Sequence, residues 1–195
     1  CYLVQVDEME KADNIFDAEY TYFSSFSTSL LDHSKKYVDM MVKRFGFDQN
    51  SQVIELASND GYLLQYFKEY NVPVLGVDPT ANTAEAALKK GIETIVDFFG
   101  ADFAQQKLVE KGIKADLIIG NNVLAHVPDI NDFVKGMKIA LSDKGVITME
   151  FPHLVRTVDD CLFDTIYHEH FSYLSFYTVK RIFESQGLEM FDVEE

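Results

Sequence analysis

From residue 52 onward, apolar runs of strand length alternate with stretches of helical period. Runs at 53–56, 72–77, 92–96, 117–120, 146–150 and 188–193 predict strands. Stretches at 61–70, 81–90, 101–111, 130–141 and 177–186 predict helices, three of them followed by Gly91, Gly112 and Gly187 as stops. Such alternation with short connections implies parallel βαβ units. The fold class expected is therefore α/β, a Rossmann-like, doubly wound, mostly parallel sheet. Ahead of it, Leu30, Tyr37, Val38, Met41 and Phe45 share one helical face, with Ser27 or Thr28 as N-cap and Gly46 as stop. Residues 1–6 alternate loosely enough for a short strand, and the acidic stretch 7–17 has no regular period; both read as peripheral. Residues 20–29, rich in aromatic and hydroxyl side chains, read as a loop that carries chemistry.

In a doubly wound sheet, ligands gather at the carboxyl ends of the strands. The first strand runs into Ala57-Ser58-Asn59-Asp60-Gly61, where backbone N–H groups and a helix N-terminus face a ligand. The second ends at Asp78-Pro79, and a carboxylate ~20 residues after the first loop suits both hydroxyls of a ribose. A helix cap is the plainer role for Asp78. The third strand delivers Asp97-Phe98-Phe99, either flanking a purine or serving as cap and core. The fourth delivers Asn121-Asn122 and then His126. The first loop lacks the glycines of a dinucleotide fingerprint, which lowers the weight of NAD or FAD.

Charge and composition narrow the partners. The chain has 195 residues, 47% hydrophobic and 25% charged, which are globular values. A net charge of −15 argues against a nucleic-acid partner, because binding a polyanion needs Lys and Arg to displace counterions. No apolar run approaches the ~20 residues that cross a bilayer. Two cysteines are too few for a disulfide scaffold, so a reducing, cytoplasmic setting is expected.

A second constellation lies in the long connection after the fifth strand. It gathers Tyr167, His168, Glu169 and His170, with Glu150 and His153 ending the preceding strand. Two chemistries fit. A His-x-His pair with Glu suits a metal, but neighbouring residues on an extended loop point to different sides and Cys161 is not spaced as a fourth ligand. Acid–base work needs a histidine near pKa ~6.5, a carboxylate to orient it and a hydroxyl for developing oxyanion charge. A hydrogen-bonded network that merely fixes the loop is the structural alternative.

The retained Glu55, Gly61, Asp78 and the strand opened by Asp116 resemble the class I S-adenosylmethionine-dependent methyltransferases, with departures at Ala57 and Asn59. The combination E-L-A-S-N-D-G, L-A-H-V-P, E-F-P-H and F-D-T-I-Y-H-E-H-F-S-Y-L-S resembles more narrowly the nucleotide-sugar C-methyltransferases, in which N-D-G replaces the glycine pattern. That resemblance implies S-adenosylmethionine as cofactor and a nucleotide-linked deoxysugar as acceptor, methylated on the carbon beside its keto group. It implies Glu55, Ala57, Ser58, Asn59 and Gly61 around the methionine part, Asp78 and Pro79 at the ribose, Asp97 and Phe98 near adenine, and Asn121 nearby. It implies His170 as the leading base, assisted by Glu169, with Tyr167, Tyr20 and Tyr22 near the sugar or the sulfonium. His126 either steadies the keto oxygen or is itself the base. Family members carry a zinc-binding domain before this region and another domain after it. Residues 1–27 then correspond to the end of the zinc domain, with Cys1 as its last ligand, plus a substrate loop. Residues 28–195 correspond to the methyltransferase domain, with the final antiparallel strand missing. No metal is expected within this chain. An O- or N-methyltransferase and a non-catalytic binding domain stay open as alternatives.

Overall fold

The computed structural model describes residues 2–17 and 20–194. In chain order its elements are β1 (Val4–Gln5), α1 (Ala12–Ile15), α2 (Thr28–Phe45), β2 (Val53–Leu56), α3 (Leu64–Lys68), β3 (Val74–Asp78), α4 (Ala81–Lys89) and β4 (Thr94–Val96). There follow α5 (Ala101–Phe103), β5 (Ala115–Asn121), α6 (Ile130–Ala140), β6 (Leu141–Glu150), α7 (Leu154–Asp159), β7 (Ser172–Tyr173) and α8 (Phe176–Ser185).

The main sheet has five strands in the order β4-β3-β2-β5-β6, every neighbouring pair parallel. The chain winds outward from β2 through β3 to β4, then returns to place β5 on the other side of β2. The reversal opens a crevice at the carboxyl ends of β2 and β5, where the switch point of such a sheet binds ligands.

The period of two along β2 explains how both faces are covered. Ile54 and Leu56 join Leu75, Val77 and Ile118 under α6 and α8, through Val134, Met137, Val179 and Phe183. Val53 joins Leu117 and Ile119 under α2 and α3, through Val38, Met41, Leu64 and Phe67. Each such buried side chain contributes ~1.5–3 kcal/mol relative to exposure. The helix on residues 28–45 begins and ends as expected: Ser27 Oγ accepts from Leu30 N–H at 3.3 Å, and Gly46 stops it at φ 71°.

Two expected elements differ. Residues 188–193 form no strand: Leu188 and Met190 of that alternation pack directly on the core, while Arg44 holds Asp192 at 2.6 Å, so burial is satisfied without a ladder. The helix expected at 101–111 is α5 continued by a π-turn (Ala104–Leu108) and a 3-10 turn (Val109–Lys111). The wider turn aligns buried Phe103, Ala104 and Leu108 on one face. The amino-terminal stretch is not peripheral: Val4 pairs with Tyr173 in a small antiparallel sheet of β1 and β7, directly after the histidine loop. Cys1, the expected zinc ligand, lies outside the described residues. Among the described residues no helix is long and apolar enough to cross a membrane.

Candidate active site

The loop after β2 takes a glycine-like path without the glycines. Ala57, Asn59 and Gly61 all have positive φ, at 54°, 48° and 73°. Asn tolerates this region readily and Ala does not, so the turn holds local strain beside the crevice. Asn59 N–H donates to Asp78 Oδ2 at 2.8 Å, which ties the ends of β2 and β3 together. Asp78 Oδ1 accepts from Thr80 N–H at 2.9 Å and from the hydroxyls of Thr80 and Thr83. Asp78 therefore caps the turn into α4 and also faces the crevice, its Oδ2 carrying a single bond.

The crevice is a cavity of about 840 Å³. Ala57, Asn59, Asp78 and Pro79 line one side, Asp97 and Phe98 the end beyond β4, and Asn121 the floor at β5. Tyr20, Tyr22, His126, Tyr167, Glu169 and His170 line the remainder. Of the expected residues, Glu55, Ser58 and Gly61 do not line it. Strand alternation turns the Glu55 side chain to the α2 and α3 face, where it is 1% exposed and neither carboxyl oxygen has a hydrogen-bond partner. Burial, then Asp78 and Asp60, push its carboxyl well above the usual range; Tyr62 opposes this without reaching hydrogen-bond geometry. Glu150, His153 and His168 also lie outside the lining. Glu150 instead meets His33 Nε2 at 2.8 Å and Asn122 Nδ2 at 3.3 Å. A second hollow of about 300 Å³, between α8 and residues 190–193, holds none of the expected residues.

On the remaining wall of the cavity, Tyr167, His126 and His170 converge. His170 Nδ1 lies 2.8 Å from the Thr165 carbonyl oxygen, and a carbonyl only accepts, so Nδ1 carries the proton. Nε2 is then the basic atom of the neutral ring, and the Tyr167 hydroxyl donates to it at 3.2 Å. His126 crosses His170 edge to face, their centroids 4.5 Å apart. Burial, and then the charge of His170, pull the His126 pKa from 6.5 down to about 4, against a smaller opposing effect of the Glu169 main chain. Burial and then Glu169 raise the hydroxyls of Tyr20 and Tyr167, so both remain neutral donors.

Several lining residues escaped the sequence. Phe16 packs on both Tyr20, at 5.6 Å, and His126, at 5.8 Å, although its acidic neighbourhood carries no pattern. Tyr62, Asp129 and Asp132 also face the cavity. The Asp129 capping pattern before the helix at 130 was the visible signal for the last two. Among the described residues no cluster of three or more His, Cys, Asp or Glu side chains is arranged to hold a metal ion.

A parallel sheet in this order, with an acid ending β3 and the crevice at the β2–β5 switch, is the arrangement of a class I methyltransferase fold. The family model described as "Methyltransferase domain" matches residues 31–193, and the chain belongs to that family. It is 36% identical over 193 residues, 99% of its length, to the C-methyltransferase NovU of Streptomyces niveus, and spans 46% of that relative. The fold is shared with a SAM dependent methyltransferase from Archaeoglobus fulgidus (TM-score 0.61, 14% identity, 83% of this chain and 74% of the other). It is shared too with the plantazolicin methyltransferase BpumL, solved with SAH (TM-score 0.59, 12% identity, 80% and 62% covered). S-adenosylmethionine is the methyl donor of this family, and the cavity fits it. The Asp78 carboxylate keeps an acceptor free, and Asn121 Nδ2 is buried without a partner on the cavity floor.

Proposed function

We propose that this chain forms the donor and reaction site of a C-methyltransferase acting beside the keto group of a nucleotide-linked deoxysugar. The observation that carries it is His170, whose Nδ1–H is held by Thr165 and whose Nε2 opens on the Tyr167 hydroxyl inside the cavity. An O- or N-acceptor brings its own lone pair, whereas a sugar carbon becomes a nucleophile only after losing an α-proton, and this pair supplies a base with a fixed basic atom. The kinship with a relative named a C-methyltransferase supports the same reading.

On this reading, residues 28–195 carry the site and the segment before them adds Tyr20 and Tyr22 to its wall. Asp78 and Pro79 hold the donor's ribose, Asp97 and Phe98 its base, and Asn121 with the main chain of 57–59 its amino-acid end. Bound there, S-adenosylmethionine supplies the methyl group on its sulfonium. His170 Nε2 takes the α-proton as the C–H bond breaks, and the electron pair moves towards the keto oxygen. The imidazolium formed stays bonded to Thr165 through Nδ1 and is flanked by Glu169. The 3.2 Å Tyr167–His170 bond is at the long end of the range, so the hydroxyl is free to turn to the keto oxygen as it gains charge. His126, held to about 4, is the weaker base and faces the same space as a neutral group.

The test is turnover of the whole protein with S-adenosylmethionine and a panel of nucleotide-linked keto sugars, with NMR locating the new methyl group. Solvent deuterium entering the α-carbon with S-adenosylhomocysteine in place of the donor is expected as well. Methylation on oxygen or nitrogen, or no exchange at any α-carbon, overturns the assignment.

A further inference from the structure

The departure from glycine at Asn59 has a use of its own. Its side-chain oxygen accepts the Ser24 N–H at 2.8 Å, and its Nδ2 donates to the Tyr22 carbonyl at 3.0 Å. An amide has one acceptor end and one donor end; both are taken here by main-chain groups of one segment, so the orientation of the amide is fixed by its partners. Asn59 itself is only 7% exposed. The neighbouring residue repeats the pattern. Asp60, 2% exposed, takes the Ser25 hydroxyl, and Lys90 Nζ reaches both Asp60 Oδ2 at 3.0 Å and Ser25 Oγ at 2.8 Å. Farther along, Asn82 Nδ2 donates to the Tyr20 carbonyl at 2.7 Å. The segment 20–25 is thus bonded to the β2 loop and to α4 and the residue after it, and its own Tyr20 and Tyr22 form the cavity wall. Through Phe16, that wall continues to His126.

We propose that Asn59 is a positioning residue: its side chain, backed by the Asp60–Lys90–Ser25 latch, clasps the 20–25 segment so that Tyr20 and Tyr22 stand over the acceptor. The inference goes beyond the donor role expected for Asn59 and rests on the methyltransferase reading above. In place of a loop glycine, Asn keeps the left-handed backbone and adds an amide, so the same position that shapes the donor loop also sets the acceptor wall. Its N–H is held by Asp78 Oδ2, on the other side from the segment 20–25 that the amide binds.

The experiment uses the whole protein. Asn59→Gly keeps the backbone conformation and the N–H to Asp78 and deletes the amide. Hydrogen exchange of the amides at 22–27 is expected to accelerate about tenfold or more, because two bonds to that stretch, one of them fully buried, are gone. With an acceptor from the keto-sugar panel, acceptor KM is expected to rise about tenfold, while the affinity for S-adenosylhomocysteine falls less than about threefold. The double variant Ser25→Ala, Lys90→Met opens the outer latch without touching the cavity lining, and it too is expected to speed exchange at 22–27 while S-adenosylhomocysteine affinity holds. Unchanged exchange in a folded variant overturns the clasp. Loss of S-adenosylhomocysteine affinity in step with loss of the Asn59 amide overturns it as well, since the side chain is then a donor ligand. Exchange and S-adenosylhomocysteine binding are read without any acceptor, so a failure of the sugar reading is told apart from a failure of the clasp.

Discussion

His126 lies edge-on to His170 with ring centroids 4.5 Å apart, and the pair divides the work of two histidines by environment. His126 is largely buried, its Nδ1 has no partner, and its pKa falls from 6.5 to about 4. His170 has both nitrogens engaged, by Thr165 and Tyr167. Between pH 6.5 and about 4 the unfolded chain binds a proton at residue 126 that the folded chain does not. Stability from this group is therefore complete above 6.5 and is lost as pH falls towards 4, by about 3 kcal/mol. Denaturant unfolding of His126→Asn across that window is expected to show a shallower decline than the unaltered protein. An identical slope would place the pH sensitivity elsewhere.

Tyr167 and His170 are expected to separate kinetically from donor binding. His170→Gln removes the base and lowers kcat by ~10²–10⁴. Tyr167→Phe removes a hydroxyl bonded to Nε2 and lowers kcat by about 10². S-adenosylhomocysteine binding, followed calorimetrically, stays near the unaltered value in both. The assignment fails if either variant turns over normally.

Asp78 caps the turn into α4 through Oδ1, and in the proposed function it holds the donor's ribose from the side of Oδ2. Asp78→Asn retains an oxygen for the Thr80 and Thr83 donors but loses the charge that faces the cavity. Affinity for S-adenosylhomocysteine is expected to drop about tenfold or more, the scale of one charge-assisted hydrogen bond, and Tm is expected to fall as well, because the amide nitrogen replaces the oxygen that accepts the Asn59 N–H. Equal affinity would leave Asp78 as a cap alone.

Much of this arrangement was legible because periodicity and strand-end chemistry are local. Val53 to Leu56, Asp78, Asn121 and the capped helix after Ser27 each announce themselves within a few residues. The missing parts are those in which distant segments decide. Phe16 has no periodic context, and its packing on Tyr20 and on His126, 110 positions further along the chain, exists only in the folded molecule. Glu55 looked like a ligand by its place in the loop motif, yet alternation along β2 sends its carboxyl below the floor. Residues 188–193 have a strand's alternation, but Leu188 and Met190 find the core without a neighbouring strand.

Glu55 gives a prediction of opposite sign to His126. Its folded carboxyl is raised by burial and by Asp78, so the folded chain holds a proton that the unfolded chain has released. Stability from this group is present below the ordinary carboxylate range and is lost as pH rises towards the folded value. Glu55→Gln cannot ionise, and it is expected to raise Tm at neutral pH, with a gain that grows as pH rises above the ordinary carboxylate range and vanishes below it. Thermal unfolding across that range checks the sign. A variant less stable than the parent at pH 8 would mean that the ionised carboxylate is held favourably after all, through Tyr62.

Gly136 of α6 tests the packing behind the far end of the cavity. A Cβ there would lie 2.7 Å from the main-chain carbon and oxygen of Gly100 and 2.9 Å from a ring carbon of Phe99. Backbone atoms cannot step aside as a flexible side chain does, so α6 must move off the 97–101 segment. That segment is also fixed by Asp132 Oδ2, which accepts the Ala101 N–H at 3.1 Å and sits on the same helix. Gly136→Ala is expected to cost about 1–3 kcal/mol in denaturant unfolding, the usual range for overpacking. Because Asp97, Phe98 and Phe99 line the cavity, S-adenosylhomocysteine should also bind several-fold more weakly in the folded variant. Weakened stability with full affinity would count against Asp97 and Phe98 as the donor's adenine contacts.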